Sequence, residues 1–148
     1  MGLFTSFDTS ASGLTAQRYR MDIISQNVAN ANTTRTADGT PYRRKVVVFE
    51  EKAGRTSFDS ILGTVKDRYA GKGVRVSKVT EDKWTEMKMV YDPSHPDADE
   101  NGYVMYPNVD IVTEMTNLID ASRAYEANAT VFSASKSIAS KGLSMLNQ

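Results

Sequence analysis

The residues best suited to chemistry lie in one acidic stretch, residues 97–102, which has the pattern D-x-D-x-N-G. This pattern matches the first half of a calcium-binding loop, in which carboxylate and amide oxygens surround the ion. Such a loop also needs a bidentate glutamate at its twelfth position, where this chain has Asn108. The spacing therefore predicts an acidic turn, and we assign no metal ligand to it.

The material for acid–base or nucleophilic catalysis is equally sparse. The chain has a single histidine, His95, which lies between two prolines in a predicted turn. Catalysis of this kind needs a base within hydrogen-bond reach of a nucleophile or substrate. A glycine-rich phosphate loop, a His/Cys metal spacing and a G-x-S-x-G motif are all missing from the sequence. We therefore predict no enzyme, no catalytic residue and no cofactor.

Composition indicates an ordinary globular domain. The chain has 148 residues, of which 40% are hydrophobic and 24% are charged, as is typical of a domain with a modest core. Its 18 basic and 18 acidic residues cancel. This balance argues against nucleic-acid binding, which needs a basic excess. The sequence has no cysteine, so that disulfides are excluded.

Neither a secretory signal nor a membrane span is predicted. The first residues lack a basic region followed by a long apolar run. No apolar stretch reaches the roughly 18 residues that a membrane span needs. Gly2 and Ser6 match the loose myristoylation pattern, for which a flexible start to a helix is the simpler interpretation.

Helical patterns at the two ends of the chain enclose a middle region of β-branched residues and turn signals. Small polar residues with Gly39 and Pro41 end the first helix, and the run from Val46 to Phe49 favours a strand. The fold class is therefore α+β, with long N- and C-terminal helices that pair as a coiled coil and a small β-rich middle region. The predicted elements are a helix over 5–31, strands over 42–51, 73–80, 84–91 and 103–106, a loop over 52–72 and a helix over 109–146. The predicted domains are 1–33, 34–108 and 109–148.

Apolar residues follow a 4-3 heptad spacing in both terminal helices. This spacing places apolar side chains on one stripe of a helix and drives coiled-coil pairing. Polar residues interrupt the stripes at Arg18 and Ser25 in the first helix and at Ser122 and Lys136 in the last. The apolar members are Phe4, Phe7, Ala11, Leu14, Met21 and Val28 in the first helix and Ile111, Met115, Leu118, Tyr125, Ala129, Phe132, Ala139, Leu143 and Leu146 in the last. Helices that can close only on each other or on copies of themselves indicate a subunit built to assemble.

The other faces of these helices carry small residues, such as Ser10 and Gly13 in the first helix and Ala121, Ala124 and Ala127 in the last. A solvated helix face usually carries many Lys and Glu instead. Small residues let helices approach closely, which favours helices that are surrounded by other protein. An ordinary helical hairpin that covers a sheet is the alternative interpretation of the same pattern.

A resemblance to a known family covers nearly the whole chain apart from residues 55–72. Residues 23–34, with the sequence IISQNVANANTT, resemble the N-terminal signature of bacterial flagellar rod and hook proteins. Residues 115–132, which contain SRAYEAN, resemble the partner helix of the same family. The resemblance is narrowed to the proximal rod members by PYRR at 41–44, MVYDPSHPD at 89–97, GYV at 102–104 and YPNV at 106–109.

The resemblance implies a structural subunit of the flagellar basal-body rod, which self-assembles into the helical drive shaft that transmits motor torque. The terminal helices would form an inner coiled-coil layer, and the middle segment an outer β-rich region. Asn27, Asn30 and Asn32 are expected to fix how the first helix leads into the β region, since asparagine side chains satisfy terminal backbone groups. The expected assembly-interface residues are Phe4, Phe7, Leu14, Met21, Ile24, Asn27, Val28, Asn30, Asn32, Ile111, Met115, Leu118, Tyr125, Phe132, Leu143 and Leu146.

The same resemblance implies partners and a location. The partners would be copies of the chain, the rod proteins FlgB, FlgF and FlgG, the basal adaptor FliE and the flagellar type III export apparatus. The subunit would be exported without a cleaved signal peptide to the basal body, between the cell membranes or across the cell wall. A small helical-hairpin adaptor or an export-chaperone-like binding module is the alternative, and it would form closed soluble oligomers.

Overall fold

The computed structural model describes residues 3–52 and 73–146, and the predicted loop over 52–72 lies outside them except for its first residue. Two helices enclose four strands in this part of the chain, and neither helix is long and apolar enough to cross a membrane. The helices are α1 (Leu3–Ala29) and α2 (Ile111–Leu146). The strands are β1 (Lys45–Glu51), β2 (Val74–Glu81), β3 (Lys88–Tyr91) and β4 (Tyr103–Tyr106). This architecture confirms the predicted α+β fold class.

Local hydrogen bonds set the inner ends of both helices. α1 ends at Ala29, and the Asn30 side chain donates from Nδ2 to the Gln26 carbonyl at 2.9 Å, which gives one carbonyl of the last turn a side-chain partner. α2 begins after Asp110, whose carboxylate accepts a hydrogen bond from the Thr113 hydroxyl at 2.6 Å. This hydrogen bond lowers the pKa of Asp110. An ionised aspartate at this position also stabilises the positive end of the helix dipole.

The strands form two two-stranded sheets, β1–β2 and β3–β4. At one end of the first sheet the Lys52 amide donates to the Gly73 carbonyl, and at the other end the Asp82 amide donates to the Arg44 carbonyl. Rising numbers on β1 therefore face falling numbers on β2, which makes the pair antiparallel. β3 and β4 are also antiparallel.

The strand predicted over 42–51 is shorter in the structure, because β1 begins only at Lys45. Two asparagine side chains accept hydrogen bonds from the two backbone amides at this point. The Arg44 amide donates to Oδ1 of Asn108, and the Lys45 amide donates to Oδ1 of Asn27, both at 2.9 Å. Side-chain bonds thus replace strand pairing at the start of β1.

The strand predicted over 84–91 is shorter for a related reason, because a turn formed by Asp82 precedes β3. The Asp82 carboxylate accepts hydrogen bonds from the backbone amides of Trp84 and Thr85 and from the Thr85 hydroxyl. These bonds, the Thr85 hydroxyl bond foremost, lower the pKa of Asp82. An aspartate that binds the backbone two and three residues ahead favours a turn over a strand.

The chain divides into two compact units, to which α1, α2, β1 and β2 all contribute. Among the described residues, unit 1 contains 3–19, 49–52, 73–77 and 121–146, and unit 2 contains 20–48 and 78–120. Unit 2 holds a buried apolar cluster of Ala31, Tyr42 and Val109. The most buried helix residues of unit 1 are small, namely Ser10, Gly13, Ala16, Ala121 and Ser135.

Candidate assembly interface

α1 and α2 pair as antiparallel helices within unit 1. The hydroxyl oxygens of Ser6 and Ser135 lie 3.1 Å apart. The rings of Phe7 and Phe132 meet edge to face, with their centroids 5.1 Å apart. Partner numbers fall on α2 as they rise on α1, which makes the pair antiparallel. We call this contact surface between the two helices the seam.

The two helices lie close together at Gly13 in the seam. A Cβ atom added at Gly13 would lie 2.8 Å from Oδ1 of Asn128, closer than side-chain atoms tolerate. Asn128 is itself held, because its Nδ2 donates to the Ala124 carbonyl at 2.8 Å. Close approach over small residues leaves the seam with little apolar area to bury.

The residues at the centre of the seam are offset by one position from the predicted heptad stripe. α1 buries Ser10 and Gly13 where the stripe has Ala11 and Leu14. α2 buries residues 121 and 135 where the stripe has 122 and 136. Adjacent residues differ by about 100° around a helix, so an offset of one moves the large apolar side chains to the flanks. Small residues then occupy the centre, where they permit the closest approach.

The predicted interface residues therefore lie in different environments. The buried members are Ile24 and Asn27, and the half-buried members are Phe7, Leu14, Met21, Val28, Asn30, Leu118, Tyr125 and Phe132. The exposed members are Asn32, Ile111, Met115 and Leu143. The side chains of Phe4 and Leu146 are outside the described part of the chain.

Large apolar side chains on α2 are exposed in both units. Val131, Ile138 and Met145 recur at seven-residue intervals and so share one stripe, on which Ile138 is 65% exposed. Among the exposed residues, Ile111, Met115 and Leu143 belong to the predicted heptad stripe, and the others lie beside it. We call the set the outer apolar residues of α2: Ile111, Val112, Met115 and Ile119 in unit 2, and Val131, Ile138, Leu143 and Met145 in unit 1.

The β3–β4 hairpin presents a second exposed apolar face in unit 2. Its register places Met89 opposite Met105 and Tyr91 opposite Tyr103. Alternate strand residues share a face, so these four side chains lie together. All four are exposed, and the two tyrosine rings meet edge to face at 5.2 Å.

An open groove of about 320 Å³ lies beside the hairpin in unit 2. Its lining is largely apolar, with one lysine and one aspartate among the polar members. The lining residues are Ala31, Asn32, Lys88, Val90, Tyr106, Pro107, Val109, Asp110 and Ile111. Asn32 and Ile111, both predicted interface residues, thus meet at this groove.

In the acidic turn over 97–102, the carboxylates of Asp97 and Asp99 accept hydrogen bonds from other residues of the chain. The Asp97 carboxylate accepts the Thr34 hydroxyl at 2.8 Å, and one Asp99 oxygen accepts two backbone amides. The His95 ring accepts the Asp97 amide on Nδ1 at 3.1 Å. These groups stabilise the turn, and the described residues contain no group of three or more His, Asp or Glu side chains suited to a metal ion.

Asn27 lies at the centre of a buried polar network in unit 2. Its side chain is 1% exposed and makes four hydrogen bonds, each 2.9 Å long. Oδ1 accepts the Lys45 amide and the Tyr42 hydroxyl, while Nδ2 donates to the Lys45 carbonyl and to Oε2 of Glu114. The side-chain amide is thereby fully satisfied, and it joins α1, β1 and α2 at one point.

Glu114 supplies the buried negative charge of this network. Its side chain is 1% exposed, and Oε1 accepts Nε and Nη2 of Arg44 at 2.8 and 2.7 Å. A buried carboxylate is costly unless it is paired and hydrogen-bonded. Both oxygens of Glu114 have donors, one from Arg44 and the other from Asn27.

Asn108, just before α2, holds the ends of β1 and β2 together. Its Oδ1 accepts the Arg44 amide at 2.9 Å, and its Nδ2 donates to the carbonyls of Asp82 and Thr85 at 2.9 and 3.1 Å. Asn108 and Asn27 thus bind adjacent backbone groups at the start of β1. We call Asn27, Arg44, Asn108 and Glu114 the junction network.

Asn27 was predicted from the sequence as an interface residue, whereas its partner Glu114 was not. Glu114 precedes Leu118 and Ala121 with the 4-3 spacing of a heptad, in which each position faces the same neighbour. A charged residue in register with apolar ones is therefore the signal that indicates a buried ion pair. The spacing alone does not reveal Arg44, because that contact joins residues far apart in the sequence.

Two flagellar families match the two ends of the chain. The family described as "Flagella basal body rod protein" matches residues 7–35, which include most of α1. The family described as "Flagellar basal body rod FlgEFG protein C-terminal" matches residues 100–145, which include nearly all of α2. Both helices of the seam therefore carry flagellar rod sequences.

Proteins named flagellar basal-body rod protein FlgC are similar to the chain from end to end. The chain is 46% identical to the protein of Borreliella burgdorferi over 99% of both chains. It is 47% identical to that of Bacillus subtilis over 97% of both chains, and 42% identical to that of Salmonella typhimurium over 98% of both chains. The similarity thus includes the middle region that the two family matches leave out. The chain belongs to the FlgC family of flagellar basal-body rod proteins.

Proposed function

We propose that the chain is a structural subunit that self-assembles in the proximal part of the flagellar rod and transmits motor torque through its contacts. The names of its relatives support a rod subunit. The structural observation that carries the proposal is the combination of exposed outer apolar residues on α2 with small side chains in the seam. A self-sufficient helical pair has the opposite arrangement, with its large apolar side chains between the helices.

The outer apolar residues of α2 pack against neighbouring copies or other rod subunits. Several large apolar side chains exposed together on one helix segment are typical of protein interaction sites. A contact between two different surfaces of identical subunits does not close on itself and generates a helical assembly. The half-buried predicted residues of unit 1, such as Leu14, Tyr125 and Phe132, flank the seam, where a neighbouring helix completes their burial.

The predicted division of the chain follows from this role. Residues 1–33 and 109–148 form the assembly layer, and residues 34–108 form a β-rich region outside it. The terminal segments, 1–33 and 109–148, depend on neighbouring subunits for assembly, because the seam between their helices buries little apolar area.

The proposed partners are those of a proximal rod subunit. They are copies of the chain, FlgB, FlgF and FlgG along the rod, FliE at its base and the flagellar type III export apparatus during delivery. The proposed location is the basal-body rod in the periplasm or cell-wall region. Association with other rod components is supported by the family matches at both ends of the chain.

The substitution Ile138→Asp tests the assembly surface. Ile138 is 65% exposed, so the change leaves the fold of the chain intact but places a charge where a neighbour packs. In cells that carry the variant as their only copy, we expect loss of motility and at least about tenfold less of the chain in purified basal bodies.

The matched control is Ser140→Asp, which introduces the same charge at another exposed position of α2. We expect it to be incorporated at wild-type levels. Wild-type incorporation of the Ile138→Asp chain would contradict the proposal. A purified chain that forms a closed oligomer of fixed mass by light scattering would favour the adaptor interpretation instead.

A further inference from the structure

We propose that Asn27 and Glu114 are positioning residues that fix the register of α1, β1 and α2 in unit 2. The inferred role of this pair extends the proposed function, since a subunit that transmits torque needs one unique arrangement of its helices. The inference about register concerns the chain itself, and only its motility measurement rests on the proposed function.

The heptad pattern alone leaves the register of α2 ambiguous. A shift of seven residues along a heptad repeat exchanges one set of similar positions for another. Such a shift brings Ala121 or Pro107 to the place of Glu114. Neither side chain accepts a hydrogen bond, so Asn27 Nδ2 and the Arg44 guanidinium lose their partners in a buried site. The Asn27–Glu114 contact therefore penalises shifted registers.

The same asparagine fixes β1. Asn27 binds both backbone groups of Lys45, donating to its carbonyl and accepting its amide, as a residue of a neighbouring strand would. A strand that slips by one residue turns every side chain to the opposite face. By holding one residue through two bonds, Asn27 sets β1 in the register in which Asn108 also holds Arg44.

A charge exchange tests the contact without a change in side-chain length. Asn27→Asp places a second carboxylate 2.9 Å from Oε2 of Glu114 and removes the donor between them. Glu114→Gln supplies a donor and removes the repulsion. The double variant has the net charge of the original chain. It lacks the hydrogen bond to the Lys45 carbonyl, and Arg44 then donates to a neutral amide oxygen in place of a carboxylate.

The primary measurement is hydrogen exchange of the Lys45 amide in the purified full-length chain. Asn27→Asp retains the acceptor for this amide, so its exchange reports opening of the junction. We expect Asn27→Asp to reduce protection by at least about tenfold and Glu114→Gln to recover most of that loss in the double variant. An unprotected Lys45 amide in the original chain, or a double variant no better than Asn27→Asp, would overturn the proposal.

The matched control is Asn30→Asp, at the end of the same helix. Asn30 contacts Gln26 and Thr33 in its own turn, so Glu114→Gln should give no recovery in its background. Equal recovery at both positions would indicate a general effect of charge and would also overturn the proposal. Motility of cells that carry each variant as their only copy should follow the same order. Motile cells that lack the chain altogether would refute the proposed function, while the exchange measurement would still decide the register.

Discussion

The Tyr42 hydroxyl is a buried donor whose partner is the Asn27 side chain, at 2.9 Å. Tyr42→Phe removes this hydroxyl and preserves the ring that packs with Ala31 and Val109. We expect the free energy of unfolding, measured by urea denaturation, to fall by about 1 kcal/mol. Tyr91→Phe serves as the control. Tyr91 is exposed, so removal of its hydroxyl should change the free energy of unfolding little. Equal effects of the two changes would contradict the buried bond.

The pH dependence of Tyr42 provides an independent prediction. Burial, with added repulsion from Glu114 and Glu81, raises the pKa of Tyr42 above its ordinary value of 10.0. A raised pKa means that folding favours the neutral phenol, so this stability is present below about pH 10 and is lost as the pH rises through the folded-state pKa. We expect the unfolding free energy to fall more steeply in this window for the original chain than for Tyr42→Phe. Parallel profiles would show that Tyr42 does not titrate with unfolding.

At the residue scale, the sequence predicts which residues have special backbone roles better than it predicts their partners. Asn27 could be selected because asparagine at a helix end often binds backbone groups. Arg44 and Glu114 are 70 residues apart in the sequence, and no local pattern specifies that they meet. An ion pair of this kind, with a buried carboxylate and a partly exposed arginine, depends on the tertiary arrangement, which a residue-by-residue interpretation does not contain.

At the element scale, helix pairing was predictable and its contact face was not. The 4-3 spacing identifies helices with an apolar stripe. It does not indicate that Gly13, Ser10 and Ser135, and not the members of that stripe, lie at the centre of the seam. The small residues occupy the centre because they permit the closest approach. The apolar stripe then flanks the seam, where neighbouring subunits can reach it. The strand starts at Lys45 and Lys88 were missed because side-chain bonds to the backbone replace strand pairing there.

Two glycines within helices provide a matched test of this seam. Gly13→Ala gains up to about 1 kcal/mol of helix propensity, but its Cβ atom would lie 2.8 Å from Oδ1 of Asn128. Gly142→Ala gains propensity without a clash, because nothing lies within 4 Å of the added Cβ. We therefore expect Gly13→Ala to weaken helix pairing by about 1–2 kcal/mol and Gly142→Ala to preserve it.

Disulfide formation can measure helix pairing directly, because the chain has no cysteine of its own. Ser6→Cys and Ser135→Cys place two thiols where hydroxyl oxygens lie 3.1 Å apart. In this doubly substituted chain, Gly13→Ala should slow disulfide formation by about 5- to 30-fold, the factor that corresponds to 1–2 kcal/mol. Gly142→Ala should leave the rate unchanged. Equal rates in all three chains would show that Gly13 does not set the approach of the helices.

At the scale of the whole molecule, the two units are stabilised by different kinds of contact. Unit 2 has the junction network and a buried cluster that includes Tyr42 and Val109. In the described part of unit 1, the seam of small residues has a serine pair and an aromatic contact, and the Val74 amide of β2 donates to the Ser12 hydroxyl of α1. Burial of apolar area is the main source of stability, and the described seam of unit 1 buries little of it. We therefore expect the helical segments of unit 1 to open at lower free energy than those of unit 2.

This difference predicts which parts of the chain become ordered on assembly. In the dilute purified chain, peptides from residues 3–19 and 121–146 should exchange amide hydrogens rapidly, and peptides from 24–48 and 104–118 should be protected. In purified basal bodies all four should be protected, because neighbours cover the outer apolar residues of α2 and stabilise helices that have little to bury alone. Circular dichroism should show correspondingly less helix in the dilute chain. Equal protection of residues 121–146 in both states would contradict the prediction, since the seam alone would then suffice to hold the helices together.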